Sequence, residues 1–324
     1  MRKFALVIAA AALLSALALA CGDSGEDMPA TRMGQARSAA PETAPVLPVT
    51  VQDKDGKNVT VKDVSRIIPL NGDIAEIIAS LNLNKNVVGA DLSATIPSDY
   101  QKLPSIGYQR TLSAEGIISL NPSVIIGNDA AGPPEVIEQI KAVGIPVVLL
   151  KSTSTLDAIP TKIKQVADAL GVPNRGAELA AATQKDIKAA QAKAATAKTQ
   201  PRVAFLYLRG STVQMIMGEG SGADSLIKAA NGKDTGVDAG IKGSKPITPE
   251  ALVAAQPEVF LVLTAGLQSV GGVEGLLKIP GVAQTPAGQN KRVIALDDQY
   301  LLGMNSQAGT ALMDLVRAFH PELG

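Results

Sequence analysis

Residues Leu103–Leu150 read LPSIGYQRTLSAEGIISLNPSVIIGNDAAGPPEVIEQIKAVGIPVVLL, and the punctuation of this stretch decides the fold. Ser113 is a residue of N-cap type, and Glu115 falls in the first turn, where a carboxylate complements the helix dipole. Asn121-Pro122 closes that helix. Val124 to Gly127 then forms a short apolar strand. The loop Ala130-Ala131-Gly132-Pro133-Pro134 leads into a helix ending near Gly144, and Pro146 to Leu150 is a second apolar strand. Unbroken apolar strands alternating with helices predict a parallel sheet covered on both faces. Ligands of such sheets sit beyond the carboxyl ends of the strands. The turn Gly107-Tyr108-Gln109-Arg110 and the Gly132-Pro133-Pro134 loop are therefore candidate walls of a site.

Upstream, Val46–Val51 and Val59–Val64 alternate around Asp53-Lys54-Asp55-Gly56, a hairpin with a turn signal. Arg66 to Leu70 is a buried strand. Asn71-Gly72-Asp73 caps a helix whose Ile74, Ile77, Ile78 and Leu81 share one face, and Asn86 to Gly89 is the next strand. Downstream, Leu156–Leu170 is an amphipathic helix broken by Gly171-Val172-Pro173. Asn174 to Lys198 has no Gly or Pro after Gly176, and at about 1.5 Å per residue such a helix is a stiff spine.

A second lobe repeats the first. Val203–Leu208 is a strand, and the glycine loop Gly218-Glu219-Gly220-Ser221-Gly222 precedes a helix at Ala223–Ala230. The segment from Thr248 to Val259 then parallels that from Ser113 to Val124. Cap, acid, proline and valine recur at one constant spacing: Ser113 with Thr248, Glu115 with Glu250, Pro122 with Pro257, Val124 with Val259. The division expected is an α/β lobe at 46–172, an interlobe helix at 173–200 and a second α/β lobe at 201–324, with a cleft between the lobes.

Composition removes several functions. Lys plus Arg and Asp plus Glu balance at 30 each, so no global field recruits nucleic acid. The single histidine, His320, lies four residues from the end, which leaves a Ser-His-Asp or Cys-His arrangement without a base and argues against an enzyme. The GEGSG loop lacks the Lys-Ser/Thr of a P-loop. Met1-Arg2-Lys3 and the apolar run Phe4–Ala20 form a secretory signal, residues 1–20. The only cysteine, Cys21, follows it directly and resembles the lipidated residue of a bacterial lipobox, with Ala18 where leucine is usual. Residues 21–45, rich in Gly, Ser, Pro, Ala and charge, read as a disordered tether between lipid and domain.

From Gly107-Tyr108-Gln109-Arg110-Thr111-Leu112-Ser113-Ala114-Glu115-Gly116 the chain resembles the haem-binding lipoproteins of bacterial ABC importers. These fall within the iron-siderophore, vitamin B12 and haem class of substrate-binding proteins. The likeness runs from about Arg66 to the C-terminus and includes Pro69–Glu76, Ala131-Gly132-Pro133-Pro134, Gly220–Leu226 and Thr285–Gly288. It implies two Rossmann-like lobes joined by a single long interlobe helix, the class III periplasmic-binding-protein fold. It also implies extracytoplasmic, monomeric capture of haem for an ABC importer permease dimer with its ATPase.

By this resemblance Tyr108 is the axial ligand of ferric haem, with Arg110 beside it as a cation for the phenolate or a propionate. Gly132, Pro133, Tyr207, Met215, Met217, Tyr300 and Met304 are the further ligand-contact candidates. Met304-Asn305-Ser306-Gln307 stands where relatives often carry Phe-Gly-Pro-Arg, so the family's arginine is missing there. The resemblance further assigns Glu115 and Glu250, one per lobe, to docking on permease arginines. Within the class, the alternative cargo is a ferric siderophore or a cobalamin; outside it, the rival is an adhesion or signalling module, which needs no deep cleft.

Overall fold

The alternating valines close the expected hairpin, Val49–Gln52 (β1) with Asn58–Val61 (β2), antiparallel with Val49 opposite Val61. The computed structural model describes residues 44–152 and 154–324. The signal segment, Cys21 and the tether as far as residue 43 lie outside the described residues. Among the described residues, no helix is long and apolar enough to cross a membrane.

The first lobe follows the predicted alternation. Its elements are Ile67–Pro69 (β3), Gly72–Ser80 (α1), Ala114–Ser119 (α2), Val124–Asn128 (β4), Pro134–Ala142 (α3) and Val147–Leu150 (β5). The three strands form a parallel sheet in the order β3-β4-β5, and every one of their residues is buried, as a sheet covered on both faces requires. The strand expected at Asn86–Gly89 is reduced to one parallel bridge between Val87 and Ile67. A 3-10 turn at Asn84–Asn86, entered through Asn82 in the left-handed region, uses up the residues that would have lengthened it.

Ile159–Ala169 (α4) leads into Pro173–Ala194 (α5), whose 22 residues span about 33 Å. This helix packs along α4 and along Ala308–Phe319 (α13) and so joins the lobes. Gly176 permits the close approach, since a Cβ there would stand 2.2 Å from the Ala167 Cβ. The helix stops short of the expected Lys198, where the Thr196 hydroxyl donates to the Lys193 carbonyl at 2.7 Å.

The second lobe contains Arg202–Arg209 (β6), Val213–Met217 (β7), Ala223–Ala229 (α6), Lys233–Asp234 (β8), Thr235–Asp238 (α7), Ser244–Pro246 (β9), Pro249–Ala255 (α8) and Val259–Leu263 (β10). Thr264–Ser269 (α9), Gly272–Leu276 (α10), Pro286–Gln289 (α11), Val293–Leu296 (β11), Asp298–Leu302 (α12) and Ala308–Phe319 (α13) complete it. Its sheet runs β11-β10-β6-β7-β9, with β8 also on β6. Strands β6, β8, β10 and β11 are parallel, whereas β7 and β9 are antiparallel additions that the first lobe lacks.

The internal repeat is real at the level of elements. Ser113 and Thr248 each cap their helix by accepting from the N–H three residues on, at 3.3 Å in both cases. The strands that follow, β4 and β10, have the same length.

The lobes share one apolar cluster that runs from Val61 through Ile77, Ile163 and Leu179 to Leu312 and Phe319. Within it sits a polar joint. Glu76 of α1 is fully buried and accepts from the Ser80 hydroxyl (2.7 Å), the Ser306 hydroxyl (2.7 Å), the Ser306 N–H (3.1 Å) and the Gln307 amide (3.4 Å).

Candidate ligand-binding cleft

Six parallel strands deliver the cleft at their carboxyl ends. Gly72 and Asp73 follow β3, Asn128 ends β4, and Ser152 lies just past β5. Tyr207 and Arg209 close β6, Leu263 ends β10, and Asp297 and Asp298 follow β11. Together with Leu92, Tyr108, Gln109 and Arg110 they enclose about 750 Å³, the position and size expected of a ligand site in open α/β sheets. A groove of similar size, about 720 Å³, lies at the amino ends of β4 and β5 against β2. That is the wrong end of the strands, and no predicted site residue faces it.

The first-lobe wall is the turn that carries Tyr108. Gly107, at φ +86°, starts it, and the Thr111 N–H donates to the Tyr108 carbonyl at 2.8 Å. Gly132 braces it from behind: its N–H donates to the Gln109 carbonyl (2.8 Å), and its carbonyl accepts from the Leu112 N–H (3.0 Å). Gly132 and Pro133 therefore support the wall and do not line it. Asn71, expected to cap α1, instead donates to the Gln109 side chain and accepts from the Asn128 N–H at 2.7 Å. The result is a fixed backbone under an exposed phenol. Tyr108 is 44% exposed, and its hydroxyl has no hydrogen-bond partner among the described residues.

The second-lobe wall is Tyr207 with Arg209 stacked on it, the guanidinium carbon 4.5 Å from the ring centroid. Arg209 is aimed by two contacts, an ion pair to Asp298 and a bond from Nη1 to the Leu208 carbonyl at 2.8 Å. Burial pushes the Asp298 carboxyl above its usual range, with the Arg209 charge and hydrogen bond pulling the other way.

The remaining acids of the cleft are spoken for. Asp73 is paired with the buried Lys162 at 2.7 Å, and Asp297 caps α12 by accepting from the Gln299 and Tyr300 N–H groups at 2.9 and 3.0 Å. Arg110 is exposed and forms no ion pair among the described residues, so the cleft offers an anion one uncommitted guanidinium. Gln299 crosses from α12 to the first lobe, where its Oε1 accepts from the Thr95 and Ile96 N–H groups, both at 2.6 Å. No group of three or more His, Cys, Asp or Glu is placed to hold a metal ion among the described residues. The Tyr108 and Tyr207 hydroxyls, neither with a hydrogen-bond partner among the described residues, are oxygen donors in the cleft.

Tyr108, Arg110 and Tyr207 thus share one cleft, and the other candidates do not line it. Met215 stands opposite Tyr207 in the antiparallel pairing, with Met217 two residues further along β7. Tyr300 is buried, and its hydroxyl is spent on Asp314 at 2.8 Å. Met304 is a core residue at φ +45°. Glu115 and Glu250 are exposed in the first turns of α2 and α8. Sequence reasoning missed Leu92, Asp73, Arg209, Asp298 and Gln299. For Arg209 a signal existed: Tyr-x-Arg occurs in each lobe, as Tyr108-Gln109-Arg110 and Tyr207-Leu208-Arg209.

Residues 67–300 match the periplasmic binding protein family. The chain belongs to that family. It is 24% identical, over 97% of its length and 96% of the relative's, to the ABC transporter substrate-binding lipoprotein YvrC of Bacillus subtilis (strain 168). Vitamin B12-binding proteins, such as that of Vibrio campbellii at 24% identity, are also among its curated relatives.

Among solved structures, the apo periplasmic haem-binding protein RhuT of Roseiflexus sp. RS-1 is 52% identical with a TM-score of 0.79, covering 81% of this chain and all of RhuT. The haem-binding protein HmuT is 35% identical with a TM-score of 0.80, covering 88% of this chain and 94% of HmuT. Solved forms of HmuT include three in which one histidine, one tyrosine or one arginine is replaced by alanine. The fold is that of these periplasmic binding proteins, and the family's members are substrate-binding components of ABC importers, not enzymes.

Proposed function

We propose that this protein captures haem in the interlobe cleft and delivers it to an ABC importer permease, with Tyr108 bound to the ferric iron and Tyr207 facing it from the second lobe. The observation that carries this reading is the meeting of two phenols from different lobes in one cleft, each followed two residues later by an arginine that also lines it. The HmuT variants support it. There the replaced arginine follows the replaced tyrosine by two positions, as Arg209 follows Tyr207, and the replaced histidine precedes that tyrosine by the same interval that separates Tyr108 from Tyr207.

The chemistry is consistent. Phenolate is a hard anionic donor for Fe(III), and tyrosine is an established haem ligand. A phenol ordinarily ionises near pH 10, so a metal and a nearby cation must favour the anion. Arg209 supplies that cation on the Tyr207 ring, and Arg110 is free to pair with a propionate. Capture breaks and forms no bond other than the coordinate ones. Delivery uses Glu115 and Glu250 as docking acids, and lipidated Cys21 holds the protein at the membrane surface.

Tyr108→Phe and Tyr207→Phe each remove one donor oxygen and keep the ring. Haemin titrations should show loss of the tyrosinate-to-iron charge-transfer band and weaker binding, most severely in Tyr108→Phe. Wild-type spectra and affinities in both variants would sink the proposed ligation.

A further inference from the structure

Asp91 and Leu92 are adjacent, and their burial is the reverse of what water alone would select. Asp91 is buried at 4% exposure, while Leu92, on the cleft, is 66% exposed. A buried acid beside an exposed leucine is informative because the ordinary drive runs the other way. Burial pushes the Asp91 carboxyl up to about 6, and the Ser93 hydroxyl and N–H bonds only partly offset it.

Loose backbone does not explain the arrangement. The Leu92 N–H donates to the Gly107 carbonyl (3.0 Å), Ala90 and Ile106 are tied to the same two-stretch pairing, and the Gly72 N–H donates to the Ser93 hydroxyl (2.9 Å). Between Ala90 and Ile96, Leu92 is the one residue held fully outward; Ala90, Asp91, Ala94 and Ile96 are buried. Its neighbour across the 92–107 pairing is the turn of Tyr108, the other exposed large hydrophobic side chain of the cleft among the described residues. From the second lobe, Leu302 and Ala265 line the same space. Apolar side chains that both lobes bring to one cleft, with the uncommitted Arg110 among them, fit a flat apolar disc with anionic substituents.

We infer that the cleft recognises the tetrapyrrole ring itself, independently of the iron, and that Leu92 is the first-lobe residue that covers its face. This rests on the haem reading above and adds a second, metal-free component to it. Leu92 is then a specificity residue: a chelate with a polar periphery gains nothing from it.

The test uses iron-free protoporphyrin IX and haemin, each titrated into the full chain, its Leu92→Asn variant and a Tyr108→Phe/Tyr207→Phe double variant. The wild type should bind protoporphyrin. Leu92→Asn should weaken both ligands about tenfold, the effect of uncovering most of one leucine side chain. The double tyrosine variant should lose haemin affinity and keep its protoporphyrin affinity within about twofold. Haemin binding without protoporphyrin binding, or a Leu92→Asn variant that binds both ligands as the wild type does, overturns the inference and leaves the haem reading standing. Failure to bind either ligand overturns both. Leu92→Met, which restores an apolar side chain, should recover protoporphyrin binding; if it behaves like Leu92→Asn, recognition by this side chain is wrong.

Discussion

Replacing Glu76 should loosen the joint between the lobes, and the size of the effect follows from its contacts. The carboxylate is fully buried and accepts four hydrogen bonds, three of them from Ser306 and Gln307 across the lobe boundary. Glu76→Ala strands the buried Ser306 N–H, at about 1–3 kcal/mol. It also opens a cavity in the core, for which large-to-small changes typically cost about 2–5 kcal/mol. Relief of the desolvation of a buried carboxyl offsets part of this, so a net loss of about 3–5 kcal/mol is expected, a large fraction of a normal domain's stability.

Glu76→Gln is milder. It keeps one acceptor oxygen but sets an amide against the Ser306 N–H, at about 1–2 kcal/mol. Its penalty depends on pH with a definite sign. Burial raises the folded-state pKa of Glu76 above 4.5, so the wild-type contribution is fully present below the unfolded value and lost as pH rises through the folded one. The deficit of Glu76→Gln should therefore shrink as pH rises from 4.5 to 8. Urea unfolding at both pH values, with midpoint and slope fitted, measures it. A Glu76→Ala cost under about 1 kcal/mol, or a Gln deficit that grows with pH, would refute the reasoning.

Three further outcomes are expected. Gly72→Ala puts a Cβ 2.3 Å from the Ser93 carbonyl oxygen, so calorimetry should show destabilisation of about 1–3 kcal/mol and haemin binding should weaken as the Leu92 loop shifts. Asp91→Asn removes a group held at about 6 when folded and 3.8 when unfolded. The wild type loses up to about 3 kcal/mol as pH rises across that window, and the variant should lose less over the same range in denaturant titrations. A Glu115→Gln/Glu250→Gln double variant should bind haemin normally, lose no more than about 1 kcal/mol of stability per site, and fail to support haem-dependent growth; wild-type growth would remove these acids from docking.

The skeleton of the fold was legible because its signals are local. The caps Ser113 and Thr248, the proline stops and the apolar runs that open β4 and fill β10 each act within a few residues, and their recurrence exposed the repeat. Strand β7 was missed because Val213–Met217 is only half-buried and mixes Gln with Met, so it reads as neither an alternating nor a continuous apolar run. The joint at Glu76 was invisible for another reason: its partners come from residues 306 and 307. In the cleft, Tyr108 was legible through its motif. Tyr300 and Met304 misled because α12 and the turn after it face inward, toward Asp314 and the core. Leu92 carries no sequence signal at all, since an exposed leucine is recognised only once its surroundings are known to be rigid.

The central claim is tested most directly by a visible-absorption titration of the purified protein with haemin, run beside cyanocobalamin and a ferric siderophore. The account predicts saturable haemin binding with a tyrosinate-to-iron charge-transfer band and no saturable response to the other two. An unperturbed haemin spectrum, or saturation by cyanocobalamin or the siderophore in its place, would contradict it.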